Sequence, residues 1–172
     1  DLIIDPNFNP TMGSQRLSGG ISAAFSEVQS FLSAQKIQKI SGNLIVLEKV
    51  KTDELIPRTW IWEDMGNYFG SQIGSTILNE NILKVYFSSG NAGSLTKVVK
   101  TDPELPFFTI NNQVLASEIN RDLAYAFSRP EDDKITISGS IPANSNNFLV
   151  KASLPNPAKS LAFLLLNQLK SQ

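Results

Sequence analysis

No cysteine occurs in these 172 residues, so the chain must hold its fold by burial, without disulfides, zinc–thiolate centres or iron–sulfur clusters. Its length allows this, because a chain of this size hides roughly 70% of the surface its unfolded form exposes. Apolar residues make up 41% and charged residues 18%. The charge share is below the usual quarter, and Asn, Ser, Gln and Thr fill the difference. Disorder requires low hydrophobicity with high net charge, and the net charge here is −1. The chain therefore reads as soluble and globular.

Histidine is absent too, which removes the commonest general base at neutral pH and the commonest transition-metal ligand. Ser–His–Asp chemistry within this chain is excluded, and no cofactor and no metal site is expected. Lys36 with Lys39, and Lys49 with Lys51, are only pairs. Nucleic-acid binding needs clustered cations and is not expected. The longest apolar run, Leu161 to Leu166, is far too short for a transmembrane segment. Asn9-Pro10-Thr11 carries the proline that forbids glycosylation. Composition and missing cysteine together point to an extracytoplasmic location, in a bacterial envelope or secreted.

Periodicity gives the elements. Ile21, Ala24, Phe25, Val28, Phe31 and Leu32 lie at one-face helical spacing and predict a helix over 18–35 with Ser18 as its N-cap. Leu2 to Ile4 predicts a short strand, and strands are expected near 43–50, 59–62, 82–87 and 95–99. Over 65–79, Phe69, Ile73 and Ile77 recur every four residues beside Gly66, Gly70 and Gly74. A helix with a glycine stripe is preferred there over a hairpin, although each glycine costs a helix about 1 kcal/mol. Asp102-Pro103-Glu104-Leu105-Pro106 marks a boundary. Beyond it, a strand at 107–110, a helix through Leu115, Ile119, Leu123, Ala126 and Phe127, strands at 135–138 and 148–152, and a last helix capped by Asn156 with Pro157 at its first position are expected. The fold class is therefore α+β: small mixed or antiparallel sheets with helices packed on one face, the second half in the order β-α-β-β-α. The expected division is a lead-in arm at 1–17, a first α+β unit at 18–100 and a second β-α-β-β-α unit at 101–172, with one domain shared by the two units as the alternative.

Three features are candidate sites. Trp60-Ile61-Trp62-Glu63-Asp64 sets aromatics beside carboxylates, which suits sugar binding, with Trp60, Trp62 and Glu63 as ligand-binding residues. However, adjacent residues on a strand face opposite ways, so Glu63 and Asp64 are not expected to act as an acid pair. Gly66, Gly70 and Gly74 would form a smooth face for close packing. The last helix is apolar around much of its circumference, and Leu161, Leu165 and Leu169 are candidates for a partner contact. Glu131-Asp132-Asp133 lacks the glycine and distal glutamate of a calcium loop and reads as a solvated turn.

The strand–helix–strand patterning from Thr59 to Phe87 resembles a unit of periplasmic lipoprotein domains of bacterial envelope machines. The favoured expectation is a non-catalytic structural or adaptor domain, more a binding module than an enzyme, that self-associates or assembles with a protein partner. The alternative is a carbohydrate-binding or carbohydrate-active domain using the tryptophans and nearby carboxylates.

Overall fold

A computed structural model of the chain describes residues 1–17 and 19–171. The chain winds into two units that interleave in sequence. One comprises residues 1–55, 73–81 and 156–172, and the other 56–72 and 82–155. The expected sequential division at residue 100 is therefore corrected. The reason is long-range pairing, since β3 (Ile82–Ser88) lies hydrogen-bonded between β4 (Lys97–Asp102) and β8 (Phe148–Ser153).

In the first unit, β1 (Leu2–Ile4) runs parallel to β2 (Leu44–Val46), with Leu2 opposite Leu44 and Ile4 opposite Val46. The supposed lead-in arm is thus part of a sheet. Helix α1 (Ile21–Ala34) buries Phe25 and Leu32. The cap expected at Ser18 lies outside the described residues, and Gly20, at φ 86°, precedes the first turn. Helix α2 (Pro157–Lys170) begins where the sequence requires, with the Lys159 N–H donating to Asn156 Oδ1 at 3.0 Å and Pro157 opening the first turn. It lies against β2 and buries Leu161 and Leu165. Each such leucine contributes about 1.5–3 kcal/mol on burial.

In the second unit, β3 alternates strictly, burying Leu83, Val85 and Phe87 and turning Lys84, Tyr86 and Ser88 outward. A second sheet orders β5 (Thr109–Ser117), β7 (Lys134–Pro142) and β6 (Tyr125–Phe127), with β7 in the centre, parallel to β5 and antiparallel to β6. Val114, Ala116, Ala126, Ile135, Ile137 and Ile141 are its buried side chains.

The α+β class stands, but two expected helices do not form. Residues 115–127 end β5, turn and form β6. Residues 65–79 hold only a 3-10 turn at Tyr68–Gly70 amid irregular chain, and a further one follows at Asn79–Asn81. The second half beyond residue 101 thus has strands where the β-α-β-β-α order placed its first helix. Without a helix in 59–87, the likeness to a lipoprotein-domain unit also falls away.

Candidate functional site

The aromatic segment is a coil fastened to the second unit. Thr59 to Trp62 is not a strand, and Trp62–Asp64 is a 3-10 turn. Trp60 is half-buried, while Trp62 and Glu63 are exposed. Asn67 fixes the segment: its Nδ2 donates to the Glu63 carbonyl at 2.8 Å, and its Oδ1 accepts the Ala126 N–H at 3.1 Å. Ser153 completes the attachment, its hydroxyl donating to the Met65 carbonyl and its N–H to the Gly66 carbonyl, both at 2.9 Å. This closeness explains two of the glycines. A Cβ on Gly66 would collide with the Ala126 carbonyl, and one on Gly70 with the Asp64 carbonyl. Gly74 belongs to the other unit, where a Cβ would stand 3.0 Å from Glu48 Oε2. The three glycines therefore form no helical stripe. Of the candidate leucines, Leu161 and Leu165 are buried and Leu169 is half-buried. In the acidic run, Asp132 accepts the Lys134 N–H and pairs with Arg129 at 3.3 Å. Among the described residues no acidic cluster is arranged to hold a metal ion.

Glu48, which carried no signal in the sequence, is a carboxylate that accepts four hydrogen bonds. Its Oε1 accepts the Ser75 N–H at 2.7 Å, the Ser75 hydroxyl at 2.8 Å and the Val50 N–H at 3.0 Å, while Oε2 accepts the Thr76 N–H at 3.1 Å. Burial alone would raise its pKa, but these donors outweigh burial and hold it below the ordinary carboxylate value. With its oxygens committed to this clasp, Glu48 ties residues 73–81 to β2's end and is a structural group.

Two surface features of the second unit are open. A cavity of about 310 Å³ lies beside β4, floored by Leu83, Val98 and Leu105, with Lys100 and Glu104 also lining it. The outward face of the β4–β3–β8 sheet carries lysines in register. Lys84 stands opposite both Lys151 and Asp102, Tyr86 opposite Lys100, and Ser88 opposite Lys97. The Lys84 ammonium meets Asp102 at 3.0 Å. Lys100 lies 4.8 Å above the Tyr86 ring, and Lys151 lies 5.5 Å above the Tyr68 ring. Isolated charges in the sequence are thus gathered by strand pairing.

Comparison with known proteins gives this geometry its context. Residues 4–172 match the model of the D-Ala-D-Ala carboxypeptidase 3 (S13) family. The fold resembles the crystal structure of penicillin binding protein 4 (dacB) from Haemophilus influenzae, with a TM-score of 0.68 and 17% identity over 97% of this chain. It also resembles the structure of that protein complexed with a β-lactam, with a TM-score of 0.56 and 14% identity over 99% of this chain. The chain covers only 36% and 34% of those two chains, about a third of their length. No curated protein sequence matches it.

The family match overturns the expectation of a non-catalytic structural or adaptor domain, and the carbohydrate-binding alternative with it. Penicillin-binding serine enzymes carry a Ser-x-x-Lys string together with Ser-Asp-Asn and Lys-Thr-Gly. Ser-x-x-Lys occurs here at Ser33–Lys36 and Ser94–Lys97, whereas neither Ser-Asp-Asn nor Lys-Thr-Gly occurs. On a helix the spacing places serine and lysine on one face. Ser33 instead lies in the last turn of α1, and Lys36 lies beyond the helix at φ 55°. Ser94 sits in a turn and donates to the Asn91 carbonyl at 2.6 Å, with Lys97 beginning β4. Neither string assembles a nucleophile with its lysine among the described residues.

Proposed function

Because the chain belongs to the D-Ala-D-Ala carboxypeptidase 3 (S13) family, we propose that it works in a bacterial cell-wall peptidase that removes the terminal residue from peptides ending in D-Ala-D-Ala, outside the cytoplasm. The observation that carries this reading is the family match across residues 4–172. The extracytoplasmic placement agrees with the cysteine-free composition.

The reaction is acyl transfer through a serine. The hydroxyl attacks the penultimate carbonyl, and the peptide C–N bond breaks. Terminal D-alanine departs with a proton, and water then hydrolyses the ester to leave a shortened peptide with a new carboxylate. No serine of this chain is assigned as the nucleophile, since neither Ser-x-x-Lys string has the required geometry. What these residues provide is a firmly fastened β framework: the 63–70 segment is held down through Asn67 and Ser153, and the lysine-bearing sheet lies in the same unit.

The test is release of D-alanine from a short soluble peptide ending in D-Ala-D-Ala, using the full gene product, alongside covalent labelling by a fluorescent β-lactam. Release of D-alanine together with a labelled protein is the expected result. Neither release nor label would overturn the reading.

A further inference from the structure

The outward face of the β4–β3–β8 sheet segregates charge that the whole chain balances. The chain has 15 cationic and 16 anionic side chains. The register of this face brings together four lysines, Lys84, Lys97, Lys100 and Lys151, against one carboxylate, Asp102, a local excess of three positive charges (4 − 1). Lys84 and Lys151 stand directly opposite one another, an arrangement in which like charges destabilise a sheet. Asp102 pairs with Lys84. Among the described residues, Lys97, Lys100 and Lys151 form no ion pair.

Two of these lysines are held in place, since Lys100 lies over Tyr86 and Lys151 over Tyr68. A cation above a ring keeps its stem along the ring and its remaining N–H donors toward solvent. Neighbouring strands lie about 4.8 Å apart and alternate residues about 6.8 Å apart along a strand, so the four lysine positions cover a patch roughly 10 Å by 14 Å. Such a patch suits several carboxylates on a strand better than one small anion. The nearby cavity is a weaker candidate. The edge strand β4 beside it shifts register against β3 between Lys100 and Val98 and carries Lys97 and Lys100, both devices that oppose the addition of another strand.

We propose that this lysine face docks the polymeric cell-wall substrate through the carboxylates of its peptides, away from the reacting bond. The inference rests on the peptidase reading above. A peptide ending in D-Ala-D-Ala carries a terminal carboxylate, and cleavage leaves another in its place. The polymer therefore remains polyanionic throughout processing, and a cationic face holds it equally well before and after each cut.

The experiment is sedimentation of the full gene product with purified insoluble cell wall stripped of phosphate-bearing polymers, at low and at physiological salt. The wild type should bind, more weakly at higher salt. Lys97→Glu/Lys100→Glu should bind about tenfold or more weakly, as expected for two charge reversals within a Debye length of the ligand. Lys97→Gln/Lys100→Gln should show a smaller loss, with thermal melting retained in both variants. Lys36→Glu/Lys39→Glu makes the same charge change at exposed positions of the other unit and should bind as the wild type does. Walls whose carboxylates have been amidated should not bind.

Equal binding by wild type and both Lys97/Lys100 variants, undiminished binding to amidated walls, or retention only by walls that keep phosphate polymers would overturn the proposal. Hydrolysis of the short soluble peptide is measured in parallel. Loss of wall binding with hydrolysis intact supports docking, whereas absent hydrolysis with lysine-dependent wall binding would sink only the peptidase reading.

Discussion

Replacing Glu48 by glutamine tests the clasp that closes the first unit. The substitution keeps the shape and one acceptor oxygen. With that oxygen placed at Oε1, the bonds from Ser75 N–H, Ser75 Oγ and Val50 N–H survive without charge assistance. The amide NH2 then faces the Thr76 N–H, donor against donor, at a fully buried residue. A stranded buried donor costs about 1–3 kcal/mol, and a bond to a neutral acceptor is weaker than one to a charged group by roughly 1 kcal/mol. Discounted for Glu48's own partial exposure, the loss comes to about 3 kcal/mol at neutral pH. With a urea dependence of about 2 kcal/mol per molar, the unfolding midpoint should fall by roughly 1.5 M. The pH dependence supplies a second check. The folded-state pKa of Glu48 lies below its ordinary value of 4.5, so its contribution is fully present above that value and is lost as pH falls through the folded value. The gap between wild type and Glu48→Gln should therefore narrow steadily below about pH 4.5. A midpoint shift equivalent to less than about 0.5 kcal/mol at neutral pH, or a gap constant down to strong acid, would refute the assignment of these four bonds as the source of stability.

Other substitutions read the remaining contacts. Gly66→Ala drives a Cβ into the Ala126 carbonyl and should destabilise by about 2–4 kcal/mol in urea unfolding, with the tryptophan emission of residues 60–62 as probe. Leu165→Glu places a charge at a fully buried position while Leu166→Glu does so at a 38% exposed one. Circular dichroism melts should show the first losing more than about 3 kcal/mol and the second less than about 1 kcal/mol. Asn156→Ala removes the cap on Lys159 N–H and should cost about 1 kcal/mol, measured the same way, with Asn156→Asp near neutral.

How much of the fold was legible depends on which period each segment used. Ile82–Ser88 does not alternate in residue type, but it is a short run rich in β-branched and aromatic residues after Asn79-Glu80-Asn81 and was readable as a strand on that ground. Helix α2 announced itself by cap, proline and apolar density together. The two missed helices share one cause. Leu115, Ile119 and Leu123, like Phe69, Ile73 and Ile77, recur every four residues, which is close to one helical turn but also two full repeats of a strand. Spacing by fours therefore cannot separate the two states. At 109–117 the nine-residue parallel pairing with β7 decides the matter, burying Val114 and Ala116 and leaving Leu115 45% exposed. At 65–79 the glycines weigh against a helix, and Gly66 and Gly70 are used for close backbone approach instead.

The candidate site was less legible for a different reason. Glu48, Asn67 and Ser153 work through partners 27, 59 and 88 residues away, and no local pattern encodes such distances. The lysine face is the same case. Lys84, Lys97, Lys100 and Lys151 look scattered and unremarkable in sequence, and only antiparallel register assembles them. The aromatic cluster drew attention because its residues are adjacent, yet Trp62–Asp64 is a 3-10 turn that leaves Trp62 and Glu63 exposed, while strand pairing joins residues far apart in sequence. In a chain of short strands, side chains gathered across strands are hidden from any local motif.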